Sequence, residues 1–293
     1  MPDANANTGR VVIVTGAGQG LGREHAVAFG ENGYRVVVND IGDSAEAVAE
    51  QVRAAGGTAI ASRGDVSDWG YAQALMHTAV AEFGTLDALV NNAGVNRDRM
   101  LVTMSEPEWD SVLRVCLKGH FAPLRHAAAY WRARAKQGQP VAARIVNTTS
   151  GAGLMGSVGQ GNYAAAKAGI AALTAVAAGE LARYGVTVNA IAPSARTPMT
   201  EAVFAEKMRV PESGFDAMHP GNVSPLVVWL ASAESGDVSG RVFEVEGGTI
   251  SVADGWQHGP AIVKDGRWEV AEIGGPLRDL LHRAPKPADI YGA

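Results

Sequence analysis

Short apolar runs alternate with longer segments of helical spacing along most of this 293-residue chain. Apolar runs without polar interruption are typical of strands that are buried on both faces of a parallel sheet. Strands are predicted at residues 11–14, 36–38, 58–62, 88–90, 144–147, 187–191 and 242–245. Helices are predicted at residues 22–30, 44–54, 67–83, 106–135, 162–182 and 224–231. The pattern predicts an α/β fold, a doubly wound parallel sheet with helices on both faces, whose ligands bind at the C-terminal strand ends.

Charge and cysteine content exclude several classes of function. The net charge of −5 argues against a nucleic-acid groove or an anionic membrane surface. Cys116 is the only cysteine, which excludes an internal disulfide and a cysteine-rich zinc site, and the histidines show no metal spacing. The N-terminal residues lack the apolar core of a secretory signal, and the alanine-rich run at 169–178 is too short to span a bilayer. We expect a soluble, cytoplasmic protein without a metal.

A glycine-rich turn follows the first predicted strand, at residues 15–22 (TGAGQGLG). Glycines in this position allow a tight turn and let backbone N–H groups approach a pyrophosphate at the N-terminus of the next helix. Glycine-rich turns are also common for purely structural reasons. The turn predicts cofactor contacts from Gly16, Gln19, Gly20, Leu21 and Gly22.

Asp40 ends the second predicted strand, twenty-four residues after Gly16. A carboxylate at this place accepts hydrogen bonds from a ribose 2′-OH and repels a 2′-phosphate. No basic residue flanks Asp40 in sequence, so NAD is favoured over NADP; a helix-capping aspartate is the alternative. Further cofactor contacts are predicted after the third and fourth strands, from Asp65, Val66, Asn92, Ala93 and Gly94.

Tyr163 and Lys167 stand four residues apart in a predicted helix, and Ser150 lies thirteen residues before the tyrosine. This spacing places two side chains on one helix face, about 5–6 Å apart at Cβ. A nearby ammonium stabilises a phenolate, so Lys167 is expected to lower the phenol pKa and to make Tyr163 a general acid–base. The spacing also occurs by chance in many helices.

Taken together, these motifs resemble the short-chain dehydrogenase/reductase family over roughly residues 8–250. The resemblance is carried by 15–22 (TGAGQGLG), 91–94 (NNAG), Ser150, Tyr163, Lys167, 189–193 (NAIAP) and Thr197. It implies a single Rossmann domain at 8–253, including a substrate loop at 193–220, followed by a C-terminal extension at 254–293. It also implies a homodimer or homotetramer.

The resemblance assigns roles to individual residues. Tyr163 is then the catalytic acid/base, Ser150 binds the substrate oxygen, and Lys167 binds the nicotinamide ribose. Thr197 meets the nicotinamide carboxamide, and cofactor contacts extend to Pro193 and Asn91.

The chain most resembles the (3R)-hydroxyacyl-CoA dehydrogenase domain of the peroxisomal multifunctional β-oxidation enzyme. The resemblance rests on 36–42 (VVVNDIG), 97–99 (RDR), 224–230 (SPLVVWL) and 243–245 (FEV). It implies NAD-dependent interconversion of a secondary alcohol and a ketone in a small-molecule substrate, an acyl-CoA or a hydroxysteroid. An NADPH-dependent 3-oxoacyl-[acyl-carrier-protein] reductase is the alternative, and a catalytically impaired NAD-binding regulator is the candidate from a different class.

Two positions depart from the family pattern. Cys116 stands where most members have an asparagine that holds a water of the proton relay, and Pro193-Ser194 replaces Pro-Gly. The apolar residues of 193–220 suit an acyl chain or core packing equally well; they are Met199, Val203, Phe204, Met208, Phe215 and Met218. Trp256, Trp268 and Tyr291 in the extension are expected to cover a neighbouring subunit, to cap the substrate cleft, or to lie in a loosely ordered terminus.

Overall fold

A computed structural model describes residues 8–201, 205–253 and 255–292 and shows one eight-stranded sheet. The strands are β1 (Val11–Val14), β2 (Arg35–Asp40), β3 (Thr58–Arg63), β4 (Ala88–Asn91), β5 (Ala143–Thr148), β6 (Val186–Ser194), β7 (Val242–Glu246) and β8 (Thr249–Ala253). Their order is β3-β2-β1-β4-β5-β6-β7-β8, and β1 to β7 are parallel. The predicted parallel sheet is confirmed. The strand order reverses between β1 and β4, where such sheets bind ligands.

Strand β8 is antiparallel to β7 and was missed by the sequence analysis. Gly247 and Gly248 form the two-residue turn between Glu246 and Thr249, and Gly247 has a φ of +56° that favours glycine. Four of the five residues of β8 are exposed. An exposed edge strand lacks the continuous apolar run by which the other seven were recognised.

Helices cover both faces of the sheet, as predicted. They are α1 (Gly20–Glu31), α2 (Ser44–Ala54), α3 (Trp69–Phe83), α4 (Glu106–Val112), α5 (Gly119–Lys136), α6 (Gly151–Met155), α7 (Gly161–Leu181), α8 (Pro198–Glu201), α9 (Ser224–Leu230) and α10 (Val270–Arg283). Residues of α1, α2 and α9 bury against one face, and residues of α3, α5 and α7 against the other. Alternate residues of β1 serve the two cores, Val12 and Val14 on one side and Val11 and Ile13 on the other.

The helix predicted at 106–135 is divided in the structure. Helix α4 ends at Val112, a π-helical segment spans Leu113–Lys118, and α5 begins at Gly119. π-Helical turns inside helices occur frequently at functional sites. Arg114 and Val115 of this segment line the site described below, and Cys116 lies fully buried behind them.

Length and composition alone would allow one described helical stretch, Gly161–Tyr184, to cross a membrane, with a mean hydropathy of 1.3. Core helices of soluble proteins pass the same test. Ala177, Ala178 and Leu181 of this stretch are buried in the core that also contains α3 and α5. This helix therefore packs as part of the protein core.

The C-terminal extension contains a helix. Helix α10 spans Val270–Arg283 and has no buried residue. The chain then returns to the body of the protein, where the Val158 N–H donates to the Tyr291 carbonyl at 2.9 Å and the Tyr291 N–H donates to the Gly156 carbonyl at 3.2 Å. The last described residues are thus fixed to the segment between Ser150 and Tyr163.

His25 makes the stability of the fold depend on pH. Its imidazole is fully buried in α1, with Nδ1 2.9 Å from the Ser224 hydroxyl, and burial lowers its pKa from 6.5 to about 3. The folded ring stays neutral, whereas the unfolded chain binds a proton below about pH 6.5. Stability is therefore full above that pH and is lost as the pH falls toward 3. We expect a slope of about 1.4 kcal/mol per pH unit from this group.

Urea unfolding between pH 7 and pH 4 measures how the free energy of unfolding changes with pH. The variant His25→Gln is expected to lose the part of this slope that comes from His25. Ser224→Ala is the matched control, because it removes the hydroxyl partner and leaves the titrating ring in place. This variant should lose stability at every pH and keep the slope. An unchanged slope in His25→Gln would assign the pH dependence to other groups.

Candidate active site

A cleft of about 510 Å³ opens at the C-terminal strand ends, where the strand order reverses. The structure brings nearly all predicted site residues to its wall: Gly16, Gln19, Gly20, Leu21, Asp40, Asp65, Val66, Asn92, Ala93, Gly94, Ser150, Tyr163, Lys167, Pro193 and Thr197. Gly22 and Asn91 are the exceptions, and both lie behind the wall. One surface therefore carries both the predicted cofactor contacts and the predicted catalytic residues.

The glycine turn is too crowded for larger residues. A Cβ on Gly16 would lie 2.6 Å from the Ala93 Cα, and Gly16 and Gly20 have φ values of +60° and +55°. A Cβ on Gly22 would lie 2.3 Å from the Gly16 carbonyl oxygen, so Gly22 permits the close packing of α1 under the turn. The first turn of α1 carries no acidic residue, and Gln19 places no side-chain cap on it. Its free N–H groups suit a pyrophosphate.

Asp40 lies at the C-terminal end of β2, facing the glycine turn. Its Oδ2 accepts a hydrogen bond from the Gly18 N–H at 2.9 Å, and its Oδ1 accepts one from the Gly42 N–H at 3.1 Å. Sequence reasoning found no basic neighbour, but the sheet register pairs Asp40 with Arg63. The Arg63 guanidinium bonds to the Ile41 carbonyl and to the Asp43 carboxylate. A cation therefore stands next to the position predicted for the ribose.

Asp65 and Val66 follow β3 along the same wall. The Asp65 carboxylate accepts from the Ser67 hydroxyl at 2.6 Å and pairs with Arg114 at 2.5 Å. Arg114 lies forty-nine residues away in sequence and also lines the cleft. The sequence analysis missed it, because nothing local signals a contact at that separation.

The two asparagines that follow one another at the end of β4 have different positions. Asn92 lines the cleft and donates to the carbonyls of Thr15 and Gly16, at 3.1 and 3.0 Å. Asn91, predicted along the cofactor, is fully buried behind the wall and donates to the Asn147 Oδ1 at 3.0 Å. The amide of Asn92 supports the glycine turn, whereas Asn91 ties β4 to β5.

Ser150, Tyr163 and Lys167 meet at the inner end of the cleft. Ser150 caps α6 by accepting from the Ala152 N–H at 3.2 Å, while Tyr163 and Lys167 lie on one face of α7. The Lys167 Nζ is 5.5 Å from the centre of the Tyr163 ring and donates to the Thr148 carbonyl at 2.7 Å. The helical spacing of four thus places these side chains together, as the sequence predicts.

The pKa values at this end of the cleft are set mainly by burial. Burial raises the pKa of the Tyr163 phenol, Cys116 and Asp98 act in the same direction, and the Ser150 hydroxyl acts against them. Burial also lowers the pKa of Lys167. The sequence analysis expected Lys167 to lower the pKa of Tyr163. The protein groups alone do not produce this effect, because burial outweighs them. A positive charge close to the phenol would be needed to offset burial.

Cys116 is fully buried behind the wall of the cleft, near Gly94 and Lys167. Its thiol donates to the Val95 carbonyl at 3.2 Å, and the Val95 N–H approaches the sulfur at 3.4 Å. A Cβ on Gly94 would lie 3.6 Å from the Cys116 sulfur and 3.8 Å from the Lys167 Nζ. The thiol is thus committed to the backbone of the segment after Gly94, which identifies it as a structural group.

The substrate loop contributes only part of its apolar residues to the cleft. Met199 lines the cleft, Met208 and Met218 are buried, and Phe215 is 67% exposed. Val203 and Phe204 lie outside the described residues. Arg196 fixes the loop by pairing with Asp216 and donating to the Met208 carbonyl at 3.1 Å. Met208 and Met218 therefore pack in the interior, whereas Met199 faces the cleft.

The C-terminal return places an aromatic ring beside Ser150, the predicted catalytic serine. A Cβ on Gly151, the residue after Ser150, would lie 2.9 Å from the Tyr291 hydroxyl. Trp256 is fully exposed in the same extension. Of the aromatic residues predicted to cap the cleft or cover a neighbour, Tyr291 is the one that reaches the catalytic segment.

No group of three or more histidine, cysteine, aspartate and glutamate side chains that could hold a metal occurs in residues 8–201, 205–253 and 255–292. The residues present instead suit a dinucleotide, since the cleft joins the glycine turn to Tyr163 and to the buried Lys167.

Comparison with known proteins agrees with this geometry. Residues 10–208 match the short chain dehydrogenase family. Hydroxyacyl-CoA dehydrogenase ChsB1 of Mycobacterium tuberculosis is 46% identical over 283 residues, covering 94% of this chain and 89% of that protein. Peroxisomal multifunctional enzyme type 2 of Mus musculus is 41% identical over 252 residues, which cover 83% of this chain and 32% of that protein.

A solved structure gives the same result for the fold. The crystal structure of a short chain dehydrogenase from Mycobacterium avium superposes with a TM-score of 0.91 at 57% identity, covering 98% of this chain and 100% of that one. The predicted Rossmann fold and the resemblance to the hydroxyacyl-CoA dehydrogenase branch are confirmed. The chain therefore belongs to the short-chain dehydrogenase family and is an oxidoreductase acting on CH–OH groups.

Proposed function

We propose that this protein is an NAD-dependent dehydrogenase that interconverts a 3-hydroxyacyl-CoA and its 3-oxo form. The observation that carries the proposal is the convergence of Ser150, Tyr163 and Lys167 in one cleft with the glycine turn. The hydroxyacyl-CoA dehydrogenase named among the relatives supports this substrate class. A hydroxysteroid, which would be oxidised by the same chemistry, is the other candidate substrate.

The proposed mechanism assigns a separate task to each side chain. The Ser150 hydroxyl hydrogen-bonds the substrate oxygen, and Tyr163 removes the hydroxyl proton as a general base. Lys167, held by the Thr148 carbonyl, orients the ribose and supplies positive charge near the phenol. A bound nicotinamide accepts the hydride. Because burial raises the Tyr163 pKa, catalysis by this route requires that Lys167 and the bound cofactor together lower it.

NAD is the proposed cofactor because Asp40 lines the cleft beside the glycine turn, where an adenosine ribose is expected to lie. A carboxylate there attracts a 2′-hydroxyl and repels a 2′-phosphate. Arg63, beside Asp40, would favour a phosphate, but its guanidinium is already bonded to Asp43 and to the Ile41 carbonyl. Because Asp40 repels a 2′-phosphate and Arg63 is already bonded elsewhere, the alternative function, a 3-oxoacyl-[acyl-carrier-protein] reductase that uses NADPH, is also disfavoured.

The substrate end of the cleft supports an acyl thioester. Apolar side chains of Val95, Val115 and Met199 line the cleft together with the exposed Arg97. Apolar walls suit an acyl chain, and a guanidinium at the rim suits phosphate.

The alternative from a different class, an NAD-binding regulator, differs from a dehydrogenase in one measurable respect. A regulator would bind NAD without oxidising any alcohol.

The test is NAD reduction by the purified protein with both enantiomers of 3-hydroxyacyl-CoAs of several chain lengths, with 17β-hydroxysteroids, and with NADP in place of NAD. We expect NAD-dependent oxidation of one hydroxyacyl-CoA enantiomer and its loss in Tyr163→Phe. Tight NAD binding without turnover of any of these alcohols would favour the regulator. A strong preference for NADPH with 3-oxoacyl-carrier-protein substrates would favour the reductase.

Assembly and location are also proposals. A homodimer or homotetramer is proposed from the family resemblance, and light scattering on the purified protein tests it. A cytoplasmic location is proposed because a single cysteine, Cys116, suits a reducing compartment.

A further inference from the structure

His120 is a buried titratable residue that the proposed mechanism does not use. It lies in the first turn of α5, four residues after Cys116, and its side chain is fully buried. Neither ring nitrogen has a hydrogen-bond partner among the described residues. Leaving a buried polar atom unpaired costs about 1–3 kcal/mol. An aliphatic side chain would fill the same space without this cost, so the imidazole calls for an explanation.

The ring faces the rear of the catalytic lysine. The carbonyls of Cys116, Thr148 and Asn91 lie near enough to raise the His120 pKa, although none is aligned for a hydrogen bond of normal geometry. The Thr148 carbonyl is also the acceptor of the Lys167 ammonium, at 2.7 Å. His120 and Lys167 therefore approach the same backbone oxygen from different helices.

A further unpaired atom lies on the same side of the sheet. Asn91 follows Leu89 by two positions in β4, so both side chains point to the face that α5 covers. The Asn91 Oδ1 is buried and has no partner among the described residues, while its Nδ2 bonds to Asn147. Unpaired buried polar atoms in a protein interior are commonly satisfied by an ordered water that makes about three hydrogen bonds.

The charge state of the ring suits such a water. Burial lowers the pKa of His120 well below its ordinary value, and the nearby Lys167 acts in the same direction. The ring is therefore neutral, with one donor nitrogen and one acceptor nitrogen. The titratable groups that face it are Lys167 from α7 and Cys116 from the π-helical segment; Asn91 and Thr148 on the strands do not titrate.

We propose that His120 is a positioning residue that, with Asn91, holds a buried water against the Lys167 ammonium. The ammonium donates to the water, and the water donates to the acceptor nitrogen of His120, so the network at rest gains and loses no proton. This contact directs the remaining ammonium protons toward the ribose and Tyr163. The inference rests on the proposed roles of Tyr163 and Lys167.

The direct test is a high-resolution crystal structure of the wild-type protein. We expect an ordered water within about 3.2 Å of a His120 ring nitrogen and of the Lys167 Nζ, and its loss in His120→Leu. This measurement needs neither cofactor nor substrate. A wild-type structure in which His120 bonds directly to the carbonyls and no water touches Lys167 would overturn the proposal, whatever the enzyme oxidises.

The kinetic test is the pH dependence of kcat for alcohol oxidation. Without the water, Lys167 supports the phenolate less well, the Tyr163 pKa rises, and the acidic limb moves to higher pH. For His120→Leu we expect a shift of about one pH unit and about a tenfold lower kcat below that limb, with KM little changed. His120→Asn should restore most of the activity. If His120→Leu does not fold, the pH dependence of kcat in His120→Asn and the water in the wild-type crystal structure test the proposal instead.

The matched control is His126→Leu, which replaces another buried histidine of α5. His126 packs against Trp69, away from Lys167, so its loss should change stability and leave the pH limb in place. An unchanged limb and kcat in His120→Leu would reduce His120 to a packing residue. If the wild type oxidises none of the tested alcohols, the proposed function fails and the crystallographic test of the water still stands.

Discussion

Replacing Lys167 with methionine is expected to lower kcat for alcohol oxidation by about 10²- to 10⁴-fold, the usual contribution of general acid–base catalysis. The substitution removes the ammonium that donates to the Thr148 carbonyl and stands 5.5 Å from the Tyr163 ring. Burial already raises the Tyr163 pKa, so the phenol would remain protonated at neutral pH. Steady-state kinetics of oxidation with NAD measure the effect. Alanine at the same position should be equally inactive.

The fold should survive this substitution. Lys167 is 2% exposed and burial lowers its pKa, which means that the charged form is disfavoured where it stands. Methionine keeps most of the volume without burying a charge, so the free energy of unfolding should stay level or rise. Lys118→Met, which changes an exposed lysine in the π-helical segment, is the matched control and should leave kcat unchanged. Retained turnover in a well-folded Lys167→Met would remove Lys167 from the mechanism.

Replacing Asp40 with asparagine is expected to change the cofactor preference. A hydrogen bond to a charged group contributes about 1.5–3 kcal/mol, so kcat/KM for NAD should fall by about 10- to 100-fold. Activity with NADP should rise, because the carboxylate no longer repels the 2′-phosphate and Arg63 stands beside the same position. Asparagine keeps an oxygen for the Gly18 N–H, so the glycine turn should retain its shape.

The double variant Asp40→Asn with Arg63→Gln separates the two charges. It should lose the NADP activity gained by the single variant, while Arg63→Gln alone should leave NAD kinetics unchanged. Thermal unfolding of the three variants checks that the fold is preserved. If wild-type protein already prefers NADP, or if Asp40→Asn leaves the preference unchanged, Asp40 does not select the cofactor.

The inner strands and the catalytic helix could be predicted from the sequence because each carries a local signal. Strands such as β1 and β4 are covered on both faces, so burial imposes an uninterrupted apolar run on them. The spacing of Tyr163 and Lys167 follows from helical periodicity alone. The edge strand β8 carries no comparable signal, because most of its side chains are exposed.

Other features depend on contacts between distant parts of the chain. Arg63 lies beside Asp40 through the register of β2 and β3, and Arg114 meets Asp65 through the packing of the segment after α4. The π-helical segment interrupts an otherwise regular helical pattern, but it contains no proline or glycine that would mark the interruption in the sequence. Such features require the assembled fold and leave no pattern within a short window.

The return of the chain to Gly156 and Val158 has a practical consequence for handling the protein. Thr8 and Gly9 precede β1 at the opposite end of the sheet, away from the cleft, whereas Tyr291 is hydrogen-bonded next to the catalytic segment. A purification tag or surface tether joined after residue 292 would emerge close to Gly151 and thus to Ser150 at the cleft wall. An affinity tag, fluorophore or immobilisation linker therefore belongs at the N-terminal side, where it leaves the cleft clear.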